Sequence, residues 1–356
     1  MIEVKHLQLI TAIEQTGSLS AAAKELHLSQ SALSHQLRQL EDEVGMPLFR
    51  RINNQLHFTA AGKTFRKKAA AILSEFGVLE QQLEDLRVAQ LNTYIHGYSN
   101  AEAQRLQDQA QTVADFIHRD SHWPANESVL EAGCGVGAQT KIIAALNPES
   151  RFTAIDISPQ SLQQAEQAIE ELGLTNVSFA AEDVEQLSYR DNSFDHVFVC
   201  FLLEHLPDPA KALKELRRVL KPGGTITVVE GDHGSTFFHP DHPAARKAVQ
   251  AQVQLQHKNG GNANIGRQLY PLLERSSFQE IQVSPRQIYV DDSKPTLVEG
   301  FIRNTFTAMI QGVSEDAIAA QLVTPSEMQA GVDALLRTAS GGGSFSYTFF
   351  KATARK

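Results

Sequence analysis

Apolar residues recur at helical spacing in the first part of the chain and are interrupted by Gly and Ser. This pattern predicts three short helices, over residues 6–16, 19–26 and 30–44. Ser29 precedes the third helix as a plausible N-cap, and Gly45 ends it. The next stretch, residues 47–58, reads as a short hairpin with Asn53-Asn54 at its turn. Tandem helices followed by a basic hairpin predict a winged helix-turn-helix domain over residues 1–58.

Residues 59–90 are predicted to form one long helix. Its apolar positions fall three or four residues apart, at Phe65, Ala69, Ile72, Phe76, Leu79, Leu83 and Leu86. This stripe is too long for the preceding small domain to cover. Such a helix is typical of a dimer interface or of a rod between domains, so we expect a homodimer formed through residues 59–90.

From about residue 91 the pattern changes to alternating strands and helices. Buried strands are predicted over residues 128–131, 151–156, 177–181, 194–200 and 225–230, and further apolar segments over 278–290 and 345–352. Helices with polar faces fall between them. The alternation predicts a Rossmann-like α/β domain over residues 91–356, with a parallel sheet covered by helices on both faces.

Length and composition agree with a multidomain protein. The chain has 356 residues, enough for two or three domains, and its 42% hydrophobic and 21% charged residues argue against long disorder. No run of 18 apolar residues occurs, and the N-terminus does not resemble a secretory signal. Two cysteines, Cys134 and Cys200, exclude a disulfide scaffold. We therefore expect no membrane partner and a cytoplasmic location.

The net charge of −9 conceals an uneven distribution. Residues 1–72 carry a net charge of +3, whereas residues 73–356 carry −12. A basic front on an acidic body indicates that only the front meets a polyanion.

The third helix carries the residues that suit DNA recognition. Its polar face presents Gln30, Ser31, Ser34, His35 and Arg38, whose side chains match the hydrogen-bonding groups of base edges in the major groove. Arg50 and Arg51 lie on the wing, where contact with phosphate is expected. The alternative is that these side chains are simply solvated surface residues. We expect residues 1–58 to bind double-stranded DNA.

The same residues carry a family resemblance. The segment GSLSAAAKELHLSQSALSHQLRQLEDEVGMPLFRR, followed by LHFTAAG, resembles the DNA-binding region of LysR-type transcription regulators, and most closely the branch that regulates methionine biosynthesis. The resemblance covers about the first 65 residues. It implies an all-α winged helix-turn-helix followed by a long linker helix that pairs in a dimer. The chain departs from that family afterwards, because its alternating pattern does not resemble the family's effector domain.

A glycine-rich motif opens the second part of the chain. A predicted strand leads through Glu131 into Gly133, Gly135 and Gly137, where the backbone can turn tightly and approach a ligand. Asp156 ends the next strand, where a carboxylate can accept both hydroxyls of a ribose. Asp183 follows the third strand. The alternatives are a tight turn without a ligand for the glycines and a helix N-cap for each aspartate.

Three alternate glycines by themselves also suit dinucleotide binders. The spacing here is not that of the dinucleotide motif, because Ala138 stands three residues after Gly135. Glu131, placed before the glycines, suits a ligand with a cationic amino acid end. In addition, LEAGCGVG, AIDIS, AAEDVEQL, FDHVFVCFLLEHL and LKPGGTITVVE resemble, in order, the motifs of class I methyltransferases that use S-adenosylmethionine.

That resemblance implies a seven-stranded sheet whose last strand is antiparallel, and it implies roles for particular residues. S-adenosylmethionine would be held by Tyr98, Glu131, Gly133, Gly135, Gly137, Asp156, Asp183, Val184 and Cys200. In this interpretation the glycines hold the methionine part, Asp156 the ribose, and Asp183 with the Val184 backbone the adenine.

The methyl acceptor is less well defined by the sequence. Candidate bases follow the fourth and fifth strands, at Glu204, His205, Glu230, Asp232 and His233, and His233 is preferred for its intrinsic pKa. His233 can instead stabilise its loop. Insertions near residues 236–275 and 291–340 are expected to cap the acceptor site, with Arg267 and Tyr270 contacting the substrate. The apolar residues of the second insertion can also pack a core of their own. No metal site is expected.

Three functions remain open. The chain is a small-molecule methyltransferase linked to DNA binding, a regulator whose methyltransferase fold only senses S-adenosylmethionine, or a nucleic-acid methyltransferase. The third is disfavoured, because the body is acidic and lacks the Pro-Pro and Pro-Cys motifs of base methylation.

Overall fold

The structure is a computed structural model that describes residues 2–26, 28–52, 55–91 and 100–356. The chain divides into two compact units, Met1–Arg87 and Val88–Lys356. The turn predicted at Asn53-Asn54 lies outside the described residues.

The first unit is a helical domain with a two-stranded wing. Its elements are α1 (Val4–Thr16), α2 (Leu19–Glu25), α3 (Gln30–Val44), β1 (Phe49–Ile52), β2 (Gln55–Phe58) and α4 (Ala60–Leu91). The hydroxyl of Ser29 accepts a hydrogen bond from the Ala32 N–H at 3.1 Å, which fixes the start of α3. β1 and β2 pair antiparallel. The three helices and the wing predicted from the sequence are confirmed.

Leucine and isoleucine side chains from α1 and α3 form the core of this unit. Leu9, Ile10, Leu33 and Leu40 are fully buried together, and Leu48 closes the core beneath the wing. Burying one face of α3 in this way leaves its opposite, polar face to solvent.

The second unit contains the remaining elements. They are α5 (Asn100–His118), β3 (Ser128–Ala132), α6 (Thr140–Leu146), β4 (Arg151–Asp156), α7 (Pro159–Glu171), β5 (Val177–Ala181), β6 (Phe194–Cys200), α8 (Pro209–Val219), β7 (Leu220–His239), α9 (Pro243–Lys258), α10 (Leu269–Arg275), β8 (Gln279–Asp291), α11 (Pro295–Leu297), α12 (Ala308–Gly312), α13 (Ser314–Ala319), α14 (Pro325–Arg337) and β9 (Ser344–Arg355). Short 3₁₀ helices cover Leu203–His205 and Ile265–Gln268, and a π-helix covers Val298–Thr307.

β3 to β9 form one sheet in the order β5-β4-β3-β6-β7-β9-β8. The first five strands run parallel, and β9 lies antiparallel between β7 and β8. The predicted Rossmann-like seven-stranded sheet with an antiparallel final strand is therefore confirmed. The chain continues from β3 to β4 and β5 on one side of the sheet and then crosses to β6 and β7 on the other side. In open sheets ligands bind at such a reversal, beyond the carboxyl ends of the strands.

The segment 291–340 is part of the core of this unit. Its residues Phe301, Ile302, Phe306, Met309 and Ile310 are all less than one-tenth exposed and share a cluster with the aromatic face of β9. Packing against β9 removes these side chains from solvent, which agrees with the alternative that the second insertion packs a core. That the insertions cap the acceptor site stays a prediction.

Candidate functional site

The glycine-rich segment forms a tight bend after β3. Gly133, Gly135 and Gly137 have φ values of 74°, 53° and 74°. A Cβ at Gly133 would lie 2.8 Å from the Leu202 side chain, whereas a Cβ at Gly135 would meet none of the described residues beyond its chain neighbours within 4 Å. Gly133 therefore allows close packing, and Gly135 borders open space.

Asp156, at the end of β4, holds this bend. The Gly135 N–H donates to its Oδ2 at 2.8 Å, and the Ser158 N–H donates to its Oδ1 at 2.9 Å. Burial raises the pKa of Asp156, and these two hydrogen bonds oppose the shift. One carboxylate thus connects the glycine bend to the turn that begins α7.

A pocket of about 180 Å³ lies at the carboxyl ends of β3, β4, β5 and β6. We call it the larger pocket. Of the residues predicted to hold S-adenosylmethionine or to act in catalysis, its walls include Gly133, Gly135, Asp156, Asp183, Val184, Cys200 and His205. Predicted site residues that are up to 72 positions apart in the sequence therefore lie around one pocket. Gly137 and Glu131 are not among its lining residues.

Glu131 lies beneath the bend and is 2% exposed. Burial raises its pKa to about 7, and its Oε2 atom has no hydrogen-bond partner among the described residues. Burial also raises the pKa of the Cys200 thiol in the pocket wall. At neutral pH the Glu131 carboxyl is therefore close to its titration point, and the Cys200 thiol is uncharged.

Helix α5 forms a wall of the larger pocket that the sequence did not predict. It contributes Glu102, Ala103, Leu106 and Gln109. In the sequence, the only indication of this wall was that the segment lies just before the first strand of the sheet. Tyr98, which was predicted to cover the donor, lies outside the described residues.

A second cavity, of about 60 Å³, adjoins the larger pocket. We call it the smaller cavity. Four residues, Leu106, Gln109, Phe201 and His205, line both spaces. The remaining walls of the smaller cavity are Arg105, Glu204, Gly231, His233, Met309, Tyr347 and Phe349.

Glu204 and His205 lie side by side on the 3₁₀ turn after β6. Oε1 of Glu204 is 3.7 Å from Nε2 of His205, and the Gln256 amide donates to Oε2 of Glu204 at 3.3 Å. Burial raises the pKa of Glu204 to about 7 and lowers that of His205 to about 3. At neutral pH the carboxyl is therefore the group of this pair that is close to its titration point.

His233 is buried against Tyr347. The Tyr347 hydroxyl and Nδ1 of His233 are 2.7 Å apart, and burial lowers the pKa of His233 to about 3. The imidazole is therefore neutral at physiological pH and a weaker base than the ordinary pKa for which His233 was preferred implies; its role as the base stays a prediction. No sequence signal pointed to Tyr347, which is 114 residues away.

Glu230 and Asp232 are engaged within the protein. Oε1 of Glu230 accepts hydrogen bonds from the N–H groups of Leu202 and Leu203, at 3.1 and 2.7 Å. Asp232 forms a two-point ion pair with Arg267, with N–O distances of 2.9 and 2.6 Å. Glu230 thereby positions the turn that carries Glu204 and His205.

Arg267 and Tyr270 line neither the larger pocket nor the smaller cavity. Asp232 already takes up the guanidinium of Arg267, and the Tyr270 side chain is half exposed. In this structure Arg267 compensates the charge of a buried aspartate, and a contact of Arg267 or Tyr270 with the substrate stays a prediction.

The residues predicted to contact DNA are accessible in the first unit. Gln30, Ser31, His35 and Arg38 are exposed on α3, and Ser34 is half-buried. Arg50 is exposed on β1, and the side chain of Arg51 lies outside the described part of the chain. Lys63, Arg66, Lys67 and Lys68 add positive charge at the start of α4.

Among the residues that the structure describes, no helix is long and apolar enough to cross a membrane. No group of three or more His, Cys, Asp or Glu side chains in those residues is arranged to hold a metal ion.

Two family models match the chain. Residues 130–228 match the model described as a methyltransferase domain, and residues 4–63 match the bacterial regulatory helix-turn-helix proteins of the lysR family.

Individual relatives match one part or the other. A 2-methyl-6-phytyl-1,4-hydroquinone methyltransferase from Synechocystis is 37% identical over 35% of this chain and 40% of its own length. A demethylmenaquinone methyltransferase from Tropheryma whipplei is 30% identical over 42% of this chain and 67% of its own length. The HTH-type transcriptional regulator MetR of Haemophilus influenzae is 42% identical over 23% of this chain and 26% of its own length. The chain spans about half the length of the first relatives that it matches.

Proposed function

Because the chain belongs to the methyltransferases and carries a helix-turn-helix domain of the lysR family, we propose that it methylates a small molecule and binds DNA. The methyl donor is S-adenosylmethionine, and the DNA is double-stranded and is bound through residues 1–58. In this proposal methylation, or the level of the donor, is coupled to transcription.

The observation that carries this proposal is the composition of the larger pocket. The glycine bend, Asp156, Asp183 and Val184 come from three successive strand ends and line one space. In the described part of the chain, no atom beyond the chain neighbours lies within 4 Å of a Cβ at Gly135, which leaves room for a ligand against the bend. Oε2 of Glu131, which has no hydrogen-bond partner among the same residues, lies below the bend. These residues fit a nucleoside joined to a cationic amino acid.

Each residue has a defined task in the proposed complex. Gly133, Gly135 and Gly137 shape the bend for the methionine part, and Asp156 accepts the ribose hydroxyls while it holds Gly135. Asp183, which is exposed, and the backbone of Val184 meet the adenine at the end of β5. Cys200 packs against the donor from the end of β6.

S-adenosylmethionine, when bound, supplies an activated methyl group on a sulfonium sulfur. The protein then has to orient the acceptor, exclude water and take up a proton where the acceptor carries one. We propose that the carboxylate of Glu204 accepts this proton. Glu204 lines the smaller cavity, and its pKa, which burial raises to about 7, suits a base at neutral pH. Glu230 and His205 act as positioning neighbours.

A small-molecule acceptor is favoured by the dimensions and charge of the site. The smaller cavity is about 60 Å³, and residues 73–356 carry a net charge of −12. A flipped base requires a basic channel for its phosphates, which this charge disfavours. The names of two relatives, a hydroquinone and a demethylmenaquinone methyltransferase, agree with an acceptor of low molecular mass.

The second candidate is a regulator that senses S-adenosylmethionine without turnover. Its support is the lysR-family domain, since the regulator MetR matches this part of the chain. The buried polar groups of the smaller cavity favour turnover instead, because sensing requires only the donor site.

One experiment separates the candidates. The full chain is incubated with methyl-labelled S-adenosylmethionine and a cell extract, and small molecules are then separated from nucleic acid. We expect label in a small molecule, and a variant Asp156→Ala should abolish it. Label in DNA or RNA would contradict the proposal, and tight donor binding without any labelled product would favour the sensor.

We also propose a homodimer through residues 59–90. Ile72, Phe76 and Leu79 on α4 are exposed large apolar side chains, while the side chains of Leu83 and Leu86 lie outside the described part of the chain. Exposed apolar stripes of this kind mark helix–helix interfaces. Light scattering at micromolar concentration should give the mass of a dimer, and a monomeric mass would contradict this assignment.

A further inference from the structure

The smaller cavity lies where a methyl acceptor would meet the donor. Its walls share Leu106, Gln109, Phe201 and His205 with the larger pocket. A group held in the smaller cavity therefore faces whatever occupies the larger pocket near the end of β6. The chemistry of the remaining walls then selects the acceptor.

The positive charge in the cavity wall is already compensated. Arg105 is the only Lys or Arg among the described residues that line the cavity. Its Nε and Nη2 atoms donate to the two carboxylate oxygens of Glu102 at 2.7 and 2.6 Å, and Nη1 donates to Gln109 at 2.9 Å. Both members of the ion pair are at most 9% exposed. The wall thus offers little attraction to a carboxylate or phosphate, whose burial would be costly.

The negative charge is similarly limited. Glu204 is the acidic residue of the lining, and its Oε2 accepts a hydrogen bond from Gln256. The charge of Arg105 also acts on Glu204 and on both histidines of the lining. A buried ammonium group would therefore find the one nearby carboxylate already engaged and would lie close to a like charge.

The other polar groups are neutral and can both donate and accept. The Tyr347 hydroxyl is hydrogen-bonded to Nδ1 of His233 and to the backbone of Asp232, and because a hydroxyl can make three hydrogen bonds, one position remains for a ligand. Burial raises the pKa of Tyr347 and lowers that of His233, so neither is charged at pH 7. A hydroxyl group on a ligand complements such a pair in either orientation.

The rest of the cavity is aromatic or apolar. The rings of Phe201 and Phe349 have centroids 5.6 Å apart and planes inclined by 46°, and Met309 adds a flexible thioether wall. A cavity of about 150 Å³ accommodates benzene, so about 60 Å³ accommodates one end of a small molecule rather than the whole of a large one.

We propose that the smaller cavity selects uncharged acceptors, and that it binds the hydroxyl-bearing end of a small, largely apolar ring compound against Tyr347 and Phe349. This inference rests on the proposed function, because it assigns the substrate class of the same site. Two observations support this inference. The smaller cavity lies beside the larger pocket, and Arg105 is paired with Glu102 within the protein.

The test uses three probes of similar size and different charge: phenol, benzoate and benzylamine. Binding to the full chain is measured by ligand-observed NMR titration with and without S-adenosylhomocysteine, whose own binding is measured by calorimetry on the same samples. We expect phenol to bind at least tenfold more tightly than either charged probe. Tyr347→Phe should weaken phenol binding about 2- to 10-fold, as expected for one neutral hydrogen bond.

The matched control is Tyr289→Phe, which removes the hydroxyl of a tyrosine that is 50% exposed and lines neither space. It should bind phenol as the wild type does. Benzoate or benzylamine binding as tightly as phenol would overturn the inference, as would unchanged phenol affinity in a folded Tyr347→Phe variant. The probe series on the wild type decides the matter even if that variant does not fold. If the wild type itself does not bind S-adenosylhomocysteine, the proposed function is refuted instead.

Discussion

Replacing Asp156 by Asn tests the donor site with a minimal change in shape. The carboxylate accepts two backbone hydrogen bonds, from Gly135 at 2.8 Å and from Ser158 at 2.9 Å. An amide has only one oxygen, so one of these N–H groups would lose its acceptor and face an NH₂ group. The glycine bend would then be held less firmly, and in the proposed complex one ribose hydroxyl would lose a charged acceptor.

The size of the effect follows from these contacts. A hydrogen bond to a charged group contributes about 1.5–3 kcal/mol, which corresponds to a factor of about 10 to 150 in Kd. We therefore expect Asp156→Asn to bind S-adenosylhomocysteine about 10- to 150-fold more weakly than the wild type, measured by isothermal titration calorimetry. Its thermal transition should also be lowered.

Asp195→Asn is the matched control. Asp195 likewise accepts a backbone hydrogen bond, from Ser128 at 2.9 Å, but it lies at the opposite end of β6 and lines neither the larger pocket nor the smaller cavity. Both variants should lose stability, and only Asp156→Asn should lose affinity. If Asp156→Asn binds S-adenosylhomocysteine within threefold of the wild type, Asp156 does not hold the donor and the assignment of the site is refuted.

Three further predictions concern the base, the DNA-binding face and the packing of the first unit. The rate of methyl incorporation should rise with pH through about 7 as Glu204 loses its proton, and Glu204→Gln should lower the rate about 10²- to 10⁴-fold and remove this rise. A residual activity with an unchanged pH profile in that variant would exclude Glu204 as the base. Arg50→Ala should make the plot of the logarithm of the DNA-binding constant against the logarithm of the salt concentration less steep by about 0.9. The binding constant is measured by fluorescence anisotropy with duplex DNA of arbitrary sequence. An unchanged slope would show that Arg50 does not contact a phosphate. Gly62→Ala would place a Cβ 2.0 Å from the Leu48 carbonyl oxygen, so it should cost at least about 1–3 kcal/mol and lower the unfolding transition of the first unit by calorimetry without changing S-adenosylhomocysteine affinity. Unchanged unfolding would show that α4 does not lie close against the Leu48 carbonyl at Gly62.

The sequence determined the elements of this protein because they depend on local information. Helix α3 could be placed at Gln30–Val44 from a serine, a glycine and the spacing of leucines between them. The strands of the sheet were visible as buried apolar runs, and the glycine motif located the bend. The ends of the strands were sufficient to predict part of the lining of the larger pocket, including Gly135, Asp156 and Asp183, but not the wall that α5 contributes.

Only the tertiary structure decided how the polar residues of the second unit are used. Asp232 and Arg267 are 35 residues apart, and His233 and Tyr347 are 114 apart, so no periodicity links them. Burial, which comes from the whole fold, moves the pKa of His233 away from neutrality and that of Glu204 towards it. A sequence shows which groups can ionise, whereas their neighbours and their distance from water determine whether they do so.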